Sequence, residues 1–139
     1  MISKSTIVVR YAETDQMGIA HHSEYPVWYE VARTNLIKCI GLTYTQMEQM
    51  GVMLPLSELT CRYKGAARYE DVLTVTARVE SISAARITFA YEVWREGEDK
   101  PINTGSTTHG FVDSRTFRPI NMKKKYPDLY NKMKNMIEG

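Results

Sequence analysis

Two runs in the second half of the chain set the terms for its fold. Between Asp71 and Ser81, Leu73, Val75, Ala77 and Val79 alternate with Thr74, Thr76, Arg78 and Glu80. Between Ala85 and Arg95, Ile87, Phe89, Tyr91 and Val93 alternate with Arg86, Thr88, Ala90, Glu92 and Trp94. Successive side chains of a strand point to opposite faces, so each run predicts a strand with one buried face and one more polar face. Weaker β patterns occupy Ser5 to Tyr11, Leu54 to Lys64 and the Thr- and Ser-rich stretch from Asn103 to Asp113. Glu96-Gly97-Glu98-Asp99 reads as a turn, Pro119 as a break, and Pro127-Asp128 as the start of a short terminal helix.

Ahead of the strands stands one amphipathic helix. Tyr25, Trp28, Tyr29, Ala32, Leu36, Cys39 and Ile40 fall on one face, with Glu30, Arg33, Thr34 and Lys38 off it. Ser23 is placed to cap it, Glu24 and Pro26 fit its first turn, and Gly41 its end. Thr45 to Met50, closed by Gly51, predicts a second short helical piece. One helix laid on a curved antiparallel sheet is an α+β architecture. A single helix covers only part of such a sheet, which predicts a partner subunit.

The length, 139 residues, suits one domain over residues 1–139. A net charge of +2 argues against nucleic-acid binding. No apolar run nears the roughly 18 residues that span a bilayer, which argues against a membrane role. Met1-Ile2-Ser3-Lys4 lacks a signal-peptide pattern, which predicts a cytoplasmic protein. Cys39 and Cys61, far apart and in apolar patterns, are expected to be reduced core cysteines.

Between the first strand and the helix, a short loop gathers Asp15, Gly18, His21 and His22. Asp15 brings a carboxylate to the loop. Gly18 permits a positive φ or a close backbone approach. His22 falls where a helix start offers unpaired N–H groups and the positive end of the dipole. His21 reads as its neighbour only. Asp15, His21, His22 and Glu24 are of types that suit zinc, but no compact ligand spacing is present, and no metal is expected.

Asp15-x-x-Gly18-Ile19-x-x-His22-x-x-Tyr25, followed by Trp28-Tyr29-Glu30-x-Ala32-Arg33, resembles the signature of hotdog-fold acyl-CoA thioesterases. The likeness is to the 4-hydroxybenzoyl-CoA thioesterase family and the related Tol–Pal-associated bacterial thioesterases. It continues through Tyr63-Lys64-Gly65-Ala66-Ala67-Arg68-Tyr69-Glu70-Asp71, Gly110-Phe111-Val112-Asp113 and Arg118-Pro119, with Ala66 where relatives commonly carry Pro. The resemblance implies a hotdog fold, in which a long central helix is wrapped by a five- or six-stranded antiparallel sheet. It also implies a homodimer or homotetramer (a dimer of dimers) with sites at the dimer interface.

For function, the resemblance implies hydrolysis of an acyl-CoA to free acid and CoA, the coenzyme being part of the substrate and no cofactor being needed. Asp15 would attack the thioester carbonyl or activate a water, and the helix start near His22 would form the oxyanion pole. Tyr25 and Glu30 are expected beside the substrate, with Lys64, Arg68 and Arg118 as candidate partners for CoA phosphates. Met47, Met50, Met53 and Leu54 are candidates for an adaptable acyl pocket. The competing reading is a non-catalytic hotdog module that binds or senses acyl-CoA; a hotdog dehydratase fits the local pattern less well.

Overall fold

A computed structural model describes residues 1–138, with the side chain of residue 138 left aside. In chain order the elements are β1 (Ser3–Val8), a 3-10 turn (Tyr11–Glu13), α1 (Glu24–Lys38), α2 (Tyr44–Met50), β2 (Val52–Met53) and β3 (Leu56–Tyr63). They continue with β4 (Val72–Ile82), β5 (Arg86–Arg95), β6 (Asn103–Gly110), β7 (Val112–Asp113), α3 (Met122–Lys125) and α4 (Pro127–Glu138). Five strands form an antiparallel sheet in the order β1-β4-β5-β6-β3, and β2 and β7 form a separate ribbon.

The alternating runs became the two central strands. Val75 faces Val93, Ala77 faces Tyr91 and Val79 faces Phe89 across the β4–β5 ladder, and all six are buried. Their inward side chains form one wall of the core, each large one contributing about 1.5–3 kcal/mol on burial.

The inward face of α1 is Tyr25, Trp28, Tyr29, Ala32, Leu36 and Ile37. Cys39, expected on that face, is exposed, because the helix ends at Lys38 and the chain then turns through Gly41 at φ +80°. Ile37 fills the position instead. Ser23 makes no side-chain cap. α2 has the stronger punctuation: Thr43 and Gln46 form a reciprocal capping box, and Gly51 closes it at φ +111°.

Three expectations change. The first strand is Ser3–Val8 rather than Ser5–Tyr11. The small Ser3 and Ser5 face α1, where Ser3 Oγ donates to the Ala32 carbonyl at 3.2 Å and Asn35 Nδ2 donates to Ser5 Oγ at 2.9 Å. The strand expected from Asn103 to Asp113 breaks at buried Phe111, whose N–H donates to Ala85, so that β7 pairs with β2 rather than with the sheet. The terminal helix is substantial: Leu129, Tyr130, Met133 and Met136 join the core. With α4 sharing the cover, the single-helix argument for a partner loses its premise. What the sheet leaves open is an edge, since β3 is exposed along nearly its whole length.

Candidate active site

The loop before α1 is fastened to the segment 67–71. Val9 N donates to Asp71 O at 3.0 Å, Glu70 N to Val9 O at 2.9 Å, and Ala20 N to Ala67 O at 2.8 Å. Glu13, only 4% exposed, is the inner anchor. Its carboxylate accepts from Arg10 N at 2.7 Å and from the Trp28 indole at 2.9 Å, and its carbonyl accepts from His21 N at 2.8 Å. Burial pushes the Glu13 pKa up, but the Arg10 and Trp28 hydrogen bonds with the Arg10 charge outweigh it and leave the pKa below its usual value. Sequence reading missed this residue, because a partner fifteen positions on, across a loop, leaves no local pattern.

Within the loop, Thr14 and Ala20 bridge, and the chain between them reverses at Gly18 with φ +78°. Asp15 N donates to Ile19 O, Gly18 N to Asp15 O, and Met17 N to Asp15 Oδ1, each at 2.9 Å. One carboxylate oxygen of Asp15 is therefore held by the turn. The other, Oδ2, has no hydrogen-bond partner among the described residues. Asp15 is both a turn residue and the bearer of a free anionic oxygen.

His21 has more to do than its sequence suggested. Its Nδ1 lies 2.8 Å from Ser23 Oγ and accepts from Ser23 N at 3.2 Å, and its carbonyl accepts from Glu24 N at 3.0 Å. The cap of α1 is thus the imidazole, not the serine. Of the donors a helix start leaves over, those of Ser23 and Glu24 are taken and Pro26 has none. The N–H groups of Tyr25 and His22 find no backbone acceptor among the described residues. His22 itself is exposed, its ring 4.0 Å from that of His21, and its carbonyl accepts from Tyr63 Oη at 2.9 Å. Tyr25 is 2% exposed, with its ring edge-on to Trp28 and Tyr63, so its side chain is a core member.

Two adjoining cavities run along α1. One, of about 200 Å³, has Pro26, Val27, Leu56 and Leu59 in its wall. The next, of about 300 Å³, has Tyr44, Glu48, Met53, Leu54 and Phe117 in its wall. Glu30 and Arg33 line both, so they form one cleft. Met53 and Leu54 face it, whereas Met47 is fully buried in the core.

Glu30 and Arg33 do not pair with each other. Arg33 Nε donates to Tyr44 Oη at 3.0 Å and Nη1 to Tyr91 Oη at 3.1 Å. Behind Tyr91, which lies flat on Tyr29 at 4.4 Å, its hydroxyl meets Thr107 Oγ1, which meets His109 Nε2 at 2.9 Å. His109 Nδ1 lies 3.0 Å from the Leu54 carbonyl. A carbonyl only accepts, so Nδ1 carries the proton and every link from His109 to Arg33 has a defined direction.

The cations expected to serve CoA divide by position. Lys64 follows Tyr63, and Arg68, whose N–H is held by Asp71 Oδ2 at 2.7 Å, adjoins the Ala67–Ala20 clasp; both lie at the end of β3 where Asp15 and His22 sit. Arg118 lies in the turn after β7, at the other end of the β3–β6 ladder, where Leu56 pairs with His109. Lys123 is over the Tyr130 ring, and Lys125 pairs with Asp113 at 3.5 Å. Among the described residues no group of three or more His, Cys, Asp or Glu stands close enough to hold a metal, and no helix is long and apolar enough to cross a membrane.

A sheet wrapped on one central helix, with a carboxylate in the loop that enters the helix, defines an α+β hotdog protein of the thioesterase type. The central helix, at fifteen residues, is shorter than expected. Residues 9–132 match the family model described as the thioesterase-like superfamily, and the chain belongs to that family. It is 38% identical over 129 residues to a Bacillus subtilis protein named putative acyl-CoA thioesterase YneP, covering 93% of each chain. The DHNA-CoA thioesterase structure from Staphylococcus aureus superposes with a TM-score of 0.89 at 36% identity, over 96% of this chain and 89% of that one. A Thermus thermophilus structure described as hypothetical protein TT1821 gives 0.86 at 35% identity, over 98% of both.

Proposed function

We propose that this thioesterase-family enzyme hydrolyses acyl-CoA thioesters to the free acid and coenzyme A. The observation that carries the reading is Asp15, with one carboxylate oxygen fixed by Met17 N–H and the other free, in a loop that runs directly into a helix start with unused amides. The carbonyl oxygen of the thioester lies against the His22 and Tyr25 N–H groups. Asp15 Oδ2 either adds to the carbonyl carbon or takes a proton from a water that adds. The C–S bond breaks and the CoA thiolate leaves and is protonated; in the covalent route, water then cleaves the Asp15 anhydride. Relatives named as acyl-CoA and DHNA-CoA thioesterases support a CoA thioester as substrate.

The enzyme acts as a homodimer, or a dimer of dimers, paired along the β3 edge. An exposed eight-residue edge strand with Leu56, Leu59 and Tyr63 on it is a surface that folded proteins cover. Antiparallel pairing of two such strands sets the Arg118 end of one copy beside the Asp15 end of the other. That reunites Arg118 with Lys64 and Arg68 around the CoA phosphates.

Asp15→Asn keeps the turn acceptor and removes the charge. The variant is expected to lose thiol release from acyl-CoA by at least about a hundredfold with an unchanged circular dichroism spectrum. Normal turnover by a folded variant overturns the mechanism. Tight binding of acyl-CoAs by the wild type with no turnover of any would make the protein a sensor.

A further inference from the structure

Arg33 is a half-buried cation held by hydroxyls rather than by carboxylates. Among the described residues it takes part in no ion pair, and its two recorded partners are both tyrosine hydroxyls. Nη2 has no partner. Partly burying a guanidinium without a hydrogen-bonded counter-group is costly, and such groups persist where something else completes them. The directed chain from His109 through Thr107 and Tyr91 fixes one side of the guanidinium, and Tyr44 fixes another. The side chain is therefore held in place before any ligand arrives.

Its position is also set relative to the reacting centre. Arg33 lies ten residues beyond Ser23 on α1, about 15 Å along the axis. Helical side chains lean toward the N-terminus, which shortens the gap. The cleft between is apolar where it begins, at Pro26, Val27, Leu56 and Leu59, and polar where it reaches Arg33, Tyr44, Glu30 and Glu48. Two carboxylates beside one guanidinium disfavour a second anion there. They suit a hydroxyl, which accepts from Arg33 and donates to a carboxylate. Tyr44, its hydroxyl pushed up to about 12 chiefly by burial, stays protonated and supplies a further donor.

We propose that Arg33 is a specificity residue, which selects acyl groups of medium length that carry a neutral, hydrogen-bonding oxygen at the end remote from the thioester. The inference rests on the thioester reading above for the direction in which the acyl group lies.

The test compares octanoyl-CoA, 8-hydroxyoctanoyl-CoA and the mono-CoA ester of octanedioic acid. Thiol release is measured with the wild type, and equilibrium binding with Asp15→Asn. The hydroxy ester is expected to exceed the other two in kcat/KM and in affinity by about tenfold. Arg33→Met is expected to bring the hydroxy-to-plain ratio to about one. Arg33→Lys keeps the charge without the two-pronged hold and is expected to retain part of the ratio, which covers the case of a Met variant that folds poorly. A wild-type ratio of one, a ratio unmoved in a folded Arg33 variant, or preference for the dicarboxylic ester overturns the proposal. If no ester is hydrolysed, the thioesterase reading falls, while the binding ratios still decide the role of Arg33.

Discussion

His109 shows how one residue ties pH to stability. It is 2% exposed; burial, then the nearby Arg33 charge, lowers its pKa to about 4, against the weaker opposite pull of the Leu54 carbonyl. In the unfolded chain it titrates near 6.5. Above about 6.5 the ring is neutral in both states, and its contribution is fully present. As pH falls from about 6.5 to about 4, only the unfolded chain takes the proton, and stability drops by on the order of 3 kcal/mol, with no further loss from this group below that. Urea unfolding at pH 7 and pH 4.5 measures the drop. His109→Gln is expected to be less stable than wild type at pH 7 but to lose less between the two values; an equal loss would assign the acid sensitivity elsewhere. Protonation also breaks the directed chain, because Nε2 then has a proton where it must accept from Thr107.

At the scale of elements, helix punctuation decides what holds the cleft. α2 carries Tyr44 on its first turn, and its start depends on Thr43, whose Oγ1 accepts from Gln46 N at 3.1 Å while Gln46 Oε1 accepts from Thr43 N at 2.9 Å. Thr43→Ala is expected to cost about 1 kcal/mol, seen as a fall of about 2–4 °C in Tm. The box was within reach of sequence reading, since Thr43 and Gln46 have its spacing, although the residue pattern suggests a start at Thr45, one residue after the observed Tyr44. The strands β4 and β5 were fully legible, because alternation is a local property that burial on one face leaves in the sequence. The cap of α1 was not. Ser23 has the right type and place, but its backbone is already helical and Pro26, at the third helical position, has no N–H to give it; His21, held by Glu13 eight residues back, takes the Ser23 amide instead. Arg33 was invisible for a similar reason: on a helical wheel it is a polar residue off the apolar face, and only β5 and α2 supply the tyrosines that draw it in. Asp15, Gly18 and His22 can be singled out from sequence because all three lie in one short loop.

For the molecule as a whole, the feature that bears on assembly is the exposed β3 edge. Leu59, 41% exposed, lies in the wall of the cleft and on the strand where a second copy is expected. Leu59→Glu puts two like charges across that seam in the dimer. It is expected to move the protein toward monomer in sedimentation velocity and to lower turnover in step with dissociation. A fully active monomer would argue that one copy holds the whole site. The clasp around Glu13 bears on a different property of the molecule. That residue fixes the strand exit through Arg10, the helix through Trp28 and the imidazole cap through His21, while Ala20 and Ala67 close the same loop from outside. Thermal opening cannot displace the carboxylate of Asp15 and leave the helix amides where they were. On heating, then, molecules should switch individually from competent to incompetent, so that residual activity counts intact loops and the Michaelis constant of the survivors stays fixed.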